Sequence, residues 1–134
     1  MAKEKERNKS VKKAILISLR KEWWDKIVSR EKKIELRKTA PKQISGTTIC
    51  YVYVPEEKSV IGQFILQGVA QVQPGEVLEQ NSCVSVEQQV KYKGNGELFG
   101  WLVAFPVQYE HKIDLQKFLG VKRAPQSWQY CKLL

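Results

Sequence analysis

A chain of 134 residues with 43% apolar and 28% charged side chains has room for one domain with an apolar core. No apolar run approaches the length of a membrane span, and the polar opening MAKEKERNKSVKK lacks the apolar stretch of a secretory signal, so neither a membrane protein nor an exported one is expected, and the cytoplasm is. The net charge of +9 is focused: residues 1–13 hold six cations against two acids, a net +4, and residues 20–42 hold nine against four, a net +5. All of the body's excess thus lies in one window, which points to a polyanionic partner, nucleic acid being the commonest.

Residues 1–11 are polar, mixed in charge and without periodicity, and read as a disordered basic arm. A single domain is expected over 12–134. It begins with 14-AILISL-19, a buried strand. In 20-RKEWWDKIVSR-30, Trp24, Ile27 and Val28 recur at helical spacing, acids come early and Arg30 comes last, so a short amphipathic helix is predicted. In 33-KIELRK-38 the alternation is strict: Ile34 and Leu36 share one face, and Lys33, Glu35 and Arg37 the other.

Pro41 and Ser45-Gly46 mark a loop before a third strand, 47-TTICYVYV-54. After 55-PEEK-58 comes a long fourth strand, 60-VIGQFILQGVAQVQ-73, in which Gly62 and Gly68 point to bulges or bends. Residues 76–95 read as two short helices, the second capped by Ser82 or Ser85 and ended by KGNG. A fifth strand, 98-LFGWLVAFPVQY-109, carries Pro106, which calls for an edge or a bulge there. Then 112-KIDLQKFLG-120 reads as a short strand and a helical turn, and 124-APQSWQYCKLL-134 closes the chain with strand-like alternation. There is no internal repeat.

Five to six strands with two or three short helices are too few helices for a doubly wound sheet, and glycine-bent strands favour closure. An α+β chain built as a small mixed β-barrel with peripheral helices is expected. Cys50, Cys83 and Cys131 are far apart and make no CxxC pair; His111 is the single histidine and too isolated to assign a catalytic role. A zinc site needs about four clustered ligands, so no metal and no cofactor are expected. Reduced thiols are, with Cys50 and Cys131 packing in the core.

Lys32, Glu35 and Arg37 form the charged cluster of interest. Arg37 offers a planar fork of donors suited to phosphate, carboxylate or a base edge. Glu35 is an acceptor pair able to take the amino group of a base. Lys32, at the helix–strand junction, supplies a mobile point charge. A strand with one buried face must expose polar residues on the other, so a plain solvated face is the simple alternative. Three features weigh against it. Arg20 and Lys21 sit at the opposite end of the same helix. Ser18 ends the preceding strand. Flat rings are close in sequence, with Trp23 beside Trp24 and Tyr51 and Tyr53 sharing a strand face. Cations with flat rings suit single-stranded nucleic acid or free bases.

The segment 15-ILISLRKEWWDKIVSREKKIELRKTAP-41 resembles the opening of an ASCH domain, a family of the PUA-like superfamily. The family signature is a strand ending in Ser-Ile-Lys-like residues, a short helix, then G-x-K-x-x-E-x-R. Lys32, Glu35 and Arg37 fall on its Lys, Glu and Arg. The stretches YVYVPEEKSVIG (51–62) and APQSW (124–128) are similar to later family segments, so the resemblance covers most of residues 14–130. Arg30 stands where the family has Gly, a residue that permits a left-handed helix end.

The resemblance implies a PUA-like barrel with a cleft beside the first helix, and RNA- or nucleotide-linked recognition in transcription or translation. One bacterial branch similar in fold removes the acetyl group of N4-acetylcytidine with a Lys and a Thr of this motif and a distant Glu. Lys32 matches that Lys, and Glu35 stands where the Thr would be. A carboxylate does not replace a hydroxyl that forms an acyl-enzyme. Other members are described as ribonucleases.

Two readings follow. In the first, Ser18, Arg20, Lys21, Arg30, Lys32, Glu35, Arg37 and Tyr53 line a cleft that binds RNA or a nucleotide, in a protein expected to be a monomer. In the second, a hydrolase acts on RNA or an acylated nucleoside, with Lys32 and Glu35 as its acid–base groups.

Overall fold

β1 (Lys13–Ser18) carries Ala14, Ile15, Leu16 and Ile17, all fully buried, as only a strand covered on both faces can be. It is interior to the sheet, parallel to β3 (Thr48–Val54) and antiparallel to β6 (Trp128–Lys132). A parallel pair needs a crossover. α1 (Lys21–Val28), β2 (Ile34–Arg37) and the loop to residue 47 supply it. The computed structural model describes residues 13–134, so the arm expected over residues 1–11 lies outside the described residues.

The remaining strands are β4 (Ser59–Gln71) and β5 (Phe99–Ile113), and the sheet runs β2-β5-β4-β3-β1-β6. It curls into a half-barrel flanked by α1, α2 (Glu79–Ser82), α3 (Val86–Lys93) and α4 (Leu115–Leu119), the last being the helical turn expected after residue 112. The α+β class with a mixed, curled sheet and peripheral helices is as expected, but the sheet is a half-barrel and four helices flank it rather than two or three. Its ladder stops at β2 and β6. Side chains join the two edges: Trp128 Nε1 donates to Thr39 Oγ1 (2.8 Å), and the Tyr130 hydroxyl accepts from the Lys42 and Gln43 N–H groups.

Bulges bend the long β4–β5 pair, as the glycines and Pro106 led one to expect. Gln63 pairs with Val107 but Ile65 pairs with Ala104, so Phe105-Pro106 carries one extra residue, with Phe105 at φ 48°. At Gly62 the backbone meets a side chain. A Cβ there would overlap the Trp24 indole and the Val107 carbonyl. That clearance seats Trp24, which is fully buried and donates its Nε1–H to Gln108 Oε1 at 2.8 Å. Trp24 thereby anchors α1 on the sheet within the main core, with Ile17, Ile27, Phe64 and Trp101.

The two helices of residues 76–95 form as expected. Ser85 caps α3 by accepting from Gln88 N–H at 3.1 Å while Gln88 Oε1 accepts from Ser85 N–H at 3.2 Å, a reciprocal capping box. Gln89, fully buried, holds the loop before α3: its Oε1 accepts from Gly75 N–H (2.9 Å) and its Nε2 donates to Val84 O (3.0 Å). Together they tie α3 to the loops that precede it.

Candidate functional site

The site starts with the end of α1. Arg30 adopts φ 71°, the left-handed conformation that glycine tolerates best. Its N–H bonds Ile27 O (3.1 Å), and Lys32 N–H returns to Lys26 O (3.0 Å). The turn thus forms with arginine in place of glycine, and it carries Lys32 back beneath the helix. β2 follows at once, and its alternation turns Ile34 and Leu36 toward Val77 and Leu98. Glu35 and Arg37 take the opposite face.

The three signature side chains meet and are buried, with Lys32 2% exposed, Glu35 6% and Arg37 9%. Glu35 lies between the cations. Its Oε1 is 3.3 Å from Lys32 Nζ, and its Oε2 accepts from Arg37 Nε at 2.7 Å. Lys32 also donates to Ser82 O and lies 5.1 Å from the Trp23 ring centre. Arg37 reaches further, donating from Nη2 to Ser18 O (2.7 Å) and from Nη1 to Ser127 Oγ (3.1 Å). Nη1 also donates to Ser127 O (3.5 Å), so one of its five donors, on Nη2, remains unspent. Two cations and one carboxylate give the cluster a formal charge of +1.

These residues floor a cleft of about 470 Å³, within the range of small-ligand sites. One side is formed by Ser18, Arg20, Trp23, Pro55 and Gln126, the other by Val84, Gln88 and Tyr92. Tyr92 is 41% exposed, and Lys38 Nζ lies 5.1 Å from its ring centre. Burial raises the Tyr92 hydroxyl pKa, opposed by Arg37 and the Lys38 N–H and reinforced by Glu35. The phenol is therefore neutral at physiological pH. Among the described residues no group of three or more His, Cys, Asp or Glu side chains is placed to hold a metal ion.

Of the residues picked from sequence, Ser18, Arg20, Lys32, Glu35 and Arg37 line the cleft. The Ser18 hydroxyl donates to Pro125 O at 2.7 Å, so it tethers the closing segment. Lys21 and Arg30 are exposed but do not line the cleft; Lys21 Nζ bonds Asp25 Oδ1 at 3.2 Å. Tyr53 is also absent from the lining and packs against the cluster of Leu16, Val60 and Leu115. Sequence reasoning missed the α3 wall of Gln88 and Tyr92. The Ser-x-x-Gln capping box at 85–88 places that helix, but nothing local brings it opposite β2.

The site therefore belongs to the class of half-barrels with a cationic, aromatic-sided cleft between the first helix and the second strand. The ASCH domain model matches residues 17–121, and the chain belongs to the ASCH family. Among solved structures it is similar in fold to ASCH from Zymomonas mobilis, at 23% identity and TM-score 0.74, covering 87% of this chain and 86% of that one. A serine-to-alanine variant of the Zymomonas protein matches at 23% identity and TM-score 0.75, with 90% and 89% covered. A tyrosine-to-phenylalanine variant gives the same identity and score, with 89% and 90% covered. No curated protein matches the chain. Among the described residues no helix is long and apolar enough to cross a membrane.

Proposed function

We propose that this chain binds RNA or a nucleotide in the cleft floored by Lys32, Glu35 and Arg37, and acts as a regulator of transcription or translation in the cytoplasm. The observation that carries the reading is the buried Lys32–Glu35–Arg37 cluster at the base of an open cleft, with Arg20 at its mouth and Tyr92 half-exposed on its wall. A net positive floor attracts phosphate. The Tyr92 ring, 41% exposed beside Lys38 in a cationic cleft, gives an unpaired base a surface to stack on.

The hydrolase reading has less support. Lys32 Nζ is held by Ser82 O and Glu35, and both Glu35 oxygens hold cations. Neither group is poised to take a proton from substrate.

Titration of single-stranded RNA into the full chain at several salt concentrations tests the proposal. A strand that neutralises about three cations should lose roughly twentyfold in affinity between 50 and 200 mM salt. Tyr92→Ala should weaken binding at least fivefold, about what one base–ring stack contributes, with the melting temperature little changed. Absence of binding to any RNA or nucleotide at low salt would sink the proposal.

A further inference from the structure

The hydrogen-bonding groups of the cleft are unequally spent. Apart from the unrestrained amide of Gln126, the acceptors of Glu35, Ser18 O and Gln88 Oε1 are engaged. Glu35 Oε1 faces Lys32 and Oε2 faces Arg37, Ser18 O takes Arg37 Nη2, and Gln88 Oε1 takes the Ser85 N–H. A carboxylate already compensated by two cations gains little from a neutral amino group. The donors are left over. Arg37 keeps one N–H on Nη2, Arg20 has no side-chain partner among the described residues, and Gln88 Nε2 has none either.

The amide of Gln88 cannot turn over freely. Whatever faces the Ser85 N–H must be an acceptor, so the capping box points the oxygen at the backbone and leaves the NH₂ as the group's free end. Gln126 at the opposite lip has no such restraint and adds no preference.

We propose that the cleft favours keto bases, uracil and guanine, over amino bases, cytosine and adenine, and that Gln88 Nε2 makes the choice by donating to the exocyclic oxygen at pyrimidine C4 or purine C6. An amino group at that position would set donor against donor, leaving both unpaired. The inference rests on the nucleotide-binding reading above and adds to it the class of base.

The test titrates the full chain with RNA pentamers carrying one base, U, G, C or A, among abasic positions, and in parallel with the four nucleoside monophosphates. U and G should bind about tenfold tighter than C and A, within what one base contact discriminates. Preference in the pentamers alone would assign the site to a strand; in both sets, to a single nucleotide.

Gln88→Glu separates specificity from folding. A Glu at this position still closes the capping box, so the melting temperature should hold, while the free end changes from donor to acceptor. All four affinities fall with the added negative charge, but the keto-to-amino ratio should drop to one or below. Equal binding of the four bases, a preference for C and A, or an unchanged ratio in Gln88→Glu each overturns the inference while leaving nucleotide binding intact. Binding of none of the ligands overturns both.

Discussion

Arg37 Nε donates to Glu35 Oε2 at 2.7 Å from the same face of a four-residue strand, and the rest of the Arg37 guanidinium ties that strand to Ser18 and Ser127. One side chain thus joins three segments and also supplies part of the cleft floor. The same geometry gives it a structural role and a ligand-facing one, and the two separate experimentally.

Arg37→Ala leaves a buried carboxylate with a single cation and frees the segment before β6. It should cost about 3 kcal/mol, the low end for breaking a buried pair. Urea denaturation of Arg37→Ala, Glu35→Gln and the double variant should give a coupling of at least about 1 kcal/mol. Additive losses would mean that the pair contributes nothing as a pair.

Arg30 holds φ 71° where its relatives' signature has glycine. The left-handed conformation costs a side-chain-bearing residue about 1–2 kcal/mol, partly offset by the greater unfolded-state freedom of glycine. Arg30→Gly should therefore stabilise the protein slightly, by up to about 1 kcal/mol. Because Arg30 does not line the cleft, ligand affinity should change less than twofold. A lower melting temperature for this variant would contradict the account of the turn.

Gly62 leaves the space that the Trp24 ring fills. Gly62→Ala should destabilise by about 1–3 kcal/mol, the usual cost of overpacking. The Trp24 indole has to shift, and its fluorescence should change with it. A neutral substitution would show that Trp24 does not need that seat.

Burial raises the pKa values of Cys50, Tyr109, Tyr51 and Cys131, the last to about 11. Each folded value lies above the unfolded one, so the unfolded chain gives up these protons first. The contribution to stability is full below the unfolded values and is lost as pH rises through the window up to the folded ones. Denaturation midpoints should be level from pH 7 to 8.5 and fall steadily above pH 9. Cys131→Ala should make the decline shallower between pH 9 and 11. A flat profile across that range would contradict these burial effects.

Sequence alone settled the features that depend on neighbours along the chain. Alternation placed Ile34 and Leu36 on one face of β2 and Glu35 and Arg37 on the other. The family signature put Lys32, Glu35 and Arg37 close enough in sequence to meet, and Pro106 marked its bulge. The sequence offered Ser82 or Ser85 as the cap of the helix that became α3, and the structure chose Ser85. All of these are set within a few residues, where backbone geometry leaves few choices.

What covers each face was decided only by the tertiary structure. Tyr53 and Glu35 both stand on strand faces with polar or mixed neighbours, yet β-sheet curvature sends Tyr53 to a cluster with Leu16 and gives Glu35 the cleft. Gln88 and Tyr92 lie more than fifty residues from the signature and become its opposite wall, with buried Gln89 tying α3 to the loops that precede it. Periodicity tells which side of an element is polar, but the element that comes to face it is chosen by packing across the whole chain. For that reason the cations of this site were legible in the sequence, and the amide proposed to choose its ligand was not.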